Sequence, residues 1–140
     1  MPEEEQKEDE KYPLKFSLQM IKFRSLNQGK QFVKILKKKK INNKYFTIFF
    51  DKNINNKEKD INKYLNISFV MKKKIGNAVT RNKIKRKLKS AVQKITADEK
   101  LIDLNSTYVI FGKNNVYKDK FKFVLNEVSE TFKKIKKIKN

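Results

Sequence analysis

Between Lys72 and Lys89 the chain carries nine Lys or Arg and no acid. Apolar residues fall at Ile84, Leu88, Ala91, Val92 and Ile95, the spacing of an amphipathic helix. On a helical wheel at about 100° per residue, Asn82, Arg86, Lys89 and Gln93 lie opposite that stripe. Arg81 and Lys85 flank one side of this polar face, Lys83 and Lys87 the other. Arg81 and Arg86 offer planar forks of donors to phosphate, and the lysines offer mobile point charges. Asn82 adds an amide able to bond a phosphate, a ribose hydroxyl or a base edge. Solvated helix faces ordinarily mix signs, so a face without acids points to a polyanion. Lys72, Lys73 and Lys74 stand just ahead of Gly76 and Asn77, a turn signal with an N-cap candidate at Asn77.

A second set of candidate residues is aromatic. In an extended Tyr45–Phe50, Tyr45, Thr47 and Phe49 share one face and Phe46, Ile48 and Phe50 the other. Unpaired RNA bases stack on aromatic faces beside positive grooves. One face is therefore a candidate platform and the other core, and the residues alone do not choose between them. Hydrolytic chemistry has little to draw on. The chain has no Cys and no His, which removes thiol nucleophiles, zinc ribbons and the commonest general base. Asp51, Glu58 and Asp60 fall in one expected loop, and Asp98, Glu99 and Asp103 in another. Metal-assisted phosphodiester hydrolysis needs carboxylates converging from rigid elements. These acids have no such support and read as solvated loop acids.

The elements that must position these residues follow from the pattern. Ser25 and Gln28 have capping-box spacing. They precede a helix over about 26–38 with Phe32, Ile35 and Leu36 on one side. A short strand is expected near Ile41, then strands over 45–50 and 64–72, the latter alternating Leu65, Ile67, Phe69 and Met71. Residues 51–62 are expected to form a polar hairpin loop. After the basic helix, 97–105 links to a buried strand over 107–111. A last helix over 118–137 carries Phe121, Leu125, Val128, Phe132 and Ile135 as its stripe. Its basic end, 133–140, is expected to fray.

The run Lys74-Ile75-Gly76-Asn77-Ala78-Val79-Thr80-Arg81-Asn82-Lys83-Ile84-Lys85-Arg86 resembles the signature of the bacterial ribonuclease P protein subunit, roughly K-x-G-N-A-V-x-R-N-x-x-K-R-x-x-R-E. The match is dense through Arg86 and then departs. The family's later Arg and Glu are Lys89 and Ser90 here, so Lys89 keeps the charge and loses the fork. A weaker likeness extends from about 23 to 132. The resemblance implies a single-domain α+β sandwich, a four-stranded mixed sheet with three helices in the order α-β-β-β-α-β-α. It also implies a left-handed β-α-β crossover through the basic helix, a sense opposite to the usual one. It implies that Lys72, Lys73, Lys74, Asn77, Arg81, Asn82, Lys85, Arg86 and Lys89 bind the catalytic RNA subunit. A cleft between the first helix and the sheet would hold the 5′ leader of precursor tRNA. Phe32 and Phe49 match its aromatic positions and Thr47 a nearby one, while Leu36 replaces a family Phe and loses stacking. Catalysis would belong to the RNA subunit, with Mg2+ held by that RNA and the substrate and no catalytic or metal-binding side chain in this chain.

Composition agrees with an RNA partner. The 140 residues carry 36 Lys or Arg against 15 Asp or Glu, a formal charge of +21. Six of the acids lie in the first ten residues, and 1–13 reads as a disordered acidic tail ahead of an RNA-binding domain over 14–140. No apolar run approaches the roughly 20 residues of a membrane span, and the acidic N-terminus is unlike a signal peptide. The expectation is a cytoplasmic ribonuclease P subunit with no membrane and no obligate protein partner. The alternative is a ribosomal protein or RNA chaperone with no role in cleavage, which the 76–86 motif disfavours.

Overall fold

The computed structural model describes residues 21–26, 29–52, 64–98 and 102–139. The acidic tail, most of the 51–62 loop, Gln28 of the capping box, and Glu58, Asp60 and Glu99 lie outside the described residues. The elements are β1 (Lys22–Arg24), α1 (Gly29–Ile35), β2 (Lys39–Asn42), β3 (Phe46–Lys52), β4 (Tyr64–Val70), a 3-10 turn at Lys73–Ile75, α2 (Ala78–Asp98), β5 (Ser106–Gly112), α3 (Asn115–Lys118) and α4 (Phe121–Lys139).

Among the described residues this is an α+β fold of five strands and four helices, one strand and one helix more than the sequence pattern predicts. The extra strand, β1, joins the sheet in parallel with β4, pairing Phe23 with Leu65. Three residues with Lys22 and Arg24 at the ends carry no readable period, and the pairing partner lies about 40 residues away. The extra helix, α3, is split from α4 at Asp119, whose backbone is extended (φ −93°, ψ 161°). The sequence pattern, which starts the last helix at about 118, shows no helix over 115–117.

The sheet order is β1-β4-β5-β3-β2. β4 and β5 run parallel and are joined through α2, while β3 pairs antiparallel with both β5 and β2. Asn43 makes the β2–β3 turn by accepting from the amides of Tyr45 (2.8 Å) and Phe46 (2.9 Å). Tyr45 therefore precedes the strand, and its ring enters the main core instead of sharing a face with Thr47 and Phe49.

The main core lies on one face of the sheet. Phe46, Ile48, Phe50, Leu65, Ile67, Tyr108 and Ile110 meet Ile84, Leu88, Ala91, Val92 and Ile95 of α2, with Val124, Val128, Phe132 and Ile135 of α4. Each large aliphatic side chain enclosed this way contributes about 1.5–3 kcal/mol. The α4 stripe is turned from its expected position: Val124 and Thr131 are buried, whereas Phe121 and Leu125 are only partly enclosed. Thr131 is satisfied by the Asn43 amide at 3.0 Å. Helix α4 runs through Lys139, with Ile135 in the core.

Gly112 sets how closely α2 lies on the sheet. A Cβ there would stand 2.6 Å from Met71 Sδ, 2.9 Å from Ile84 Cγ2 and 3.0 Å from Leu88 Cδ1. The missing side chain is the space that the basic helix occupies.

Candidate nucleic-acid interface

Helix α2 starts at the predicted cap. The Thr80 amide donates to Asn77 Oδ1 at 2.9 Å, and the Arg81 amide donates to the Asn77 carbonyl at 3.0 Å. The Asn77 amide oxygen is thereby used in the cap, and its NH2 keeps its donors. With the apolar stripe buried, Asn82, Lys85, Arg86 and Lys89 stand exposed on the opposite face and Arg81 is half-buried beside them. Lys72, Lys73 and Lys74 are exposed on the 3-10 turn that leads in. Among the described residues no acid pairs with any of these cations. Lys87 differs: its ammonium donates to the carbonyls of Val116 (2.8 Å) and Asp119, tying α2 to the α3–α4 junction. That contact is invisible in the wheel, because it depends on a segment about 30 residues away.

The second surface is the other face of the sheet. Strand alternation puts Val109 and Phe111 of β5, and Thr47 and Phe49 of β3, on the side away from α2. The chain entering α1 is pinned to this side by the Leu26 amide, which donates to Ser68 Oγ at 2.9 Å. Phe32 of α1 meets Phe111 edge-on at 6.3 Å, and Phe49 meets the same ring at 5.6 Å. Phe32, Leu36, Thr47 and Phe49 are all half-buried. Phe32 and Phe49 form an aromatic cleft around Phe111, Thr47 on the same face of β3 donates its Oγ1 to Asn42 Oδ1 at 2.6 Å, and Leu36 follows the end of α1. Cations edge the cleft, with Lys40 5.8 Å from the Phe49 ring centroid and Lys72 5.5 Å from that of Phe111. Along the same face, the Arg24 guanidinium lies 4.8 Å from the Tyr64 ring centroid and donates to Asn66 Oδ1 at 3.0 Å.

Phe111, Lys40, Arg24 and Tyr64 are absent from the sequence-predicted site. Phe111 sits in a continuous apolar run and reads as core. Alternation through Thr107, Val109 and Phe111 was the available signal for its facing the cleft.

The family model for Ribonuclease P matches residues 20–136. The chain belongs to that family. It is 36% identical over 67 residues to the ribonuclease P protein component of Bartonella quintana (strain Toulouse), a stretch covering 48% of this chain and 49% of that protein. The chain thus spans about half the length of this ribonuclease P relative. Its fold is similar to the RNase P protein from Thermotoga maritima, with a TM-score of 0.62, 22% identity and coverage of 79% of this chain and 96% of that one. A mutant RNase P protein of Staphylococcus aureus gives a TM-score of 0.63 at 23% identity, covering 80% and 87%. The match contains both the 74–86 signature and every residue of the aromatic cleft.

The described residues contain no group of three or more acids, His or Cys placed to hold a metal ion. They contain no helix long and apolar enough to cross a membrane. Asp103 bonds the Asn105 amide (2.9 Å) and the Ser106 hydroxyl (3.0 Å), which makes it a turn former.

Proposed function

We propose that this chain is the protein subunit of a cytoplasmic, bacterial-type ribonuclease P, which removes the 5′ leader of precursor tRNA endonucleolytically. The observation that carries the proposal is the acid-free face of α2, bearing the family signature, beside a separate aromatic cleft on the opposite side of the sheet. Lys72, Lys73, Lys74, Asn77, Arg81, Asn82, Lys85, Arg86 and Lys89 dock on the catalytic RNA by neutralising phosphates and releasing counterions. Phe32, Thr47, Phe49 and Phe111, with Leu36 as an aliphatic wall, hold the single-stranded leader, and Lys40 and Lys72 meet its phosphates. The left-handed sense of the β4–α2–β5 crossover is carried over with the family fold.

The chain's role is binding and positioning. Mg2+, held by the RNA and the substrate, would supply a polarised water and charge stabilisation for the leaving oxygen. A leader held by the protein adds affinity for precursor tRNA that mature tRNA does not receive, so product leaves more readily than substrate.

Reconstitution tests this. Precursor tRNA is incubated with the cognate RNA subunit, the chain, or both, at low Mg2+. Faster cleavage by the pair than by the RNA, with none by the chain, is expected. Cleavage by the chain alone, or no effect on the RNA-catalysed rate, refutes the proposal.

A further inference from the structure

A depression of about 310 Å³ opens on the flank of α2 facing the start of α4. Lys83, Arg86, Lys87, Ser90 and Phe121 line it. Tyr117 of α3 stands beside it: the residue is 44% exposed, and the Lys83 ammonium lies 5.8 Å from its ring centroid. We propose that this depression is a nucleotide pocket, taking one unpaired base of an RNA against Phe121 and Tyr117 while Lys83 and Arg86 hold its phosphate.

Several observations converge here. The lining brings one aromatic side chain, Phe121, together with the cations Lys83, Arg86 and Lys87, the pairing that binds single-stranded nucleic acid without sequence readout. The volume falls at the small end of ligand pockets, about 300–1,000 Å³, and has room for one base. The nearby carboxylate does not compete for the cations. Asp119 accepts from the Tyr45 hydroxyl at 2.5 Å and pairs with Lys44 at 3.2 Å, and these partners hold its carboxyl below the usual range. Lys87 is spent on backbone carbonyls of Val116 and Asp119, so it fixes the wall and leaves Lys83 and Arg86 to meet the ligand. Tyr117 is outside the core cluster. An exposed ring on a basic surface offers stacking area at little cost to the fold. The cleft with Phe111 lies on the other face of the sheet, so the two aromatic sites are separate. That the base comes from the ribonuclease P RNA subunit rests on the proposed function; the pocket itself does not.

The experiment uses the full chain and two probes, a uridine pentanucleotide and an abasic chain with the same phosphates. Backbone amide signals of Lys83, Arg86, Tyr117 and Phe121 should shift with the first probe and far less with the second. Tyr117→Ala should abolish the difference and Tyr117→Phe should keep it. Equal shifts with the abasic chain, or shifts confined to Phe32, Phe49 and Phe111, overturn the pocket. A second titration then identifies the source of the base. Tyr117→Ala should weaken binding to the RNA subunit roughly five- to hundred-fold, with Tyr117→Phe at the wild-type value. Unchanged affinity overturns the RNA subunit as that source. A wild-type chain that does not prefer the RNA subunit to unrelated RNA refutes the proposed function and leaves the oligonucleotide result standing.

Discussion

Phe49→Ala tests the aromatic cleft, and strand β3 supplies its own control. Phe49 faces the cleft half-buried, edge-on to Phe111 at 5.6 Å. Its neighbour Phe50 faces the main core at 2% exposure. Truncating a fully buried Phe costs about 3–5 kcal/mol. Phe49 is only partly enclosed, so its stability cost should be about half that, including ~0.5–1.5 kcal/mol for the ring pair. A domain of this size is stable by about 5–15 kcal/mol, so the variant stays folded. The same change removes one base–aromatic contact, worth ~1–3 kcal/mol, and precursor tRNA should bind the holoenzyme roughly 5- to 150-fold more weakly. Mature tRNA, with no leader, should bind as before, as should the RNA subunit. Phe50→Ala should behave differently, costing about 3–5 kcal/mol of stability and lowering every affinity together as the folded fraction falls. The assay is a pair of titrations, precursor and mature tRNA, on variants whose melting temperatures have been measured. A folded Phe49→Ala protein that still favours precursor tRNA as strongly as wild type would place the leader elsewhere. Phe32→Ala should follow Phe49→Ala. The double variant should be less than additive, because both rings share Phe111.

Arg86→Ala removes an exposed cation on α2, so it should leave the melting temperature unchanged. It should weaken RNA-subunit binding by ~1–3 kcal/mol and lower the slope of log K against log salt by about one, read by filter binding across a salt series. Gly112→Ala forces a methyl to within 2.6–3.0 Å of Met71, Ile84 and Leu88. It should cost ~1–3 kcal/mol in urea denaturation, and an unchanged midpoint would mean that α2 is loosely seated. The Asp119 hydrogen bond, with burial, pushes the Tyr45 hydroxyl from 10 up to about 12. Its contribution is complete below pH 10 and is lost as pH rises towards about 12, because only the unfolded chain ionises there. Tyr45→Phe should therefore flatten the fall in stability between about pH 10 and about pH 12, measured by urea midpoints; an identical fall in both proteins would refute it.

The parts of the fold legible in the sequence were those whose cause is local. The stripe Ile84, Leu88, Ala91, Val92 and Ile95 is a periodic signal over more than ten residues, and all five are buried. Asn77 as cap needs only the chain that follows it. The opposite faces of Thr47 and Phe49 against Phe46, Ile48 and Phe50 follow from the pleat. What escaped depends on distant partners. Tyr45 left its expected face because the Asn43 turn ends before the strand and Asp119 holds its hydroxyl. β1 exists because β4 offers an edge. Lys87 looks like another cation for the ligand until the Val116 carbonyl claims it. Phe111 looks like core until the sheet shows which side of β5 is left for α1.

Strand β5 explains why the two surfaces of the proposed function keep a fixed relation. Its residues alternate between them. Tyr108, Ile110 and Gly112 face the main core, and at Gly112 an added Cβ would stand within 3.0 Å of Ile84 and Leu88 of α2. Val109 and Phe111 face the cleft, where Phe111 receives both Phe32 and Phe49. Because β5 pairs with both β3 and β4, a slip of one residue would exchange the two sets and bury Phe111 against α2. Lys72 spans the join: it belongs to the basic run before α2, yet its ammonium lies 5.5 Å from the Phe111 ring centroid. On the proposed reading, an RNA phosphate path leaving the α2 face therefore enters the cleft at Lys72. On the same reading, strand β5, with one face toward α2 and the other toward the cleft, sets the spacing between the docked catalytic RNA and the held leader.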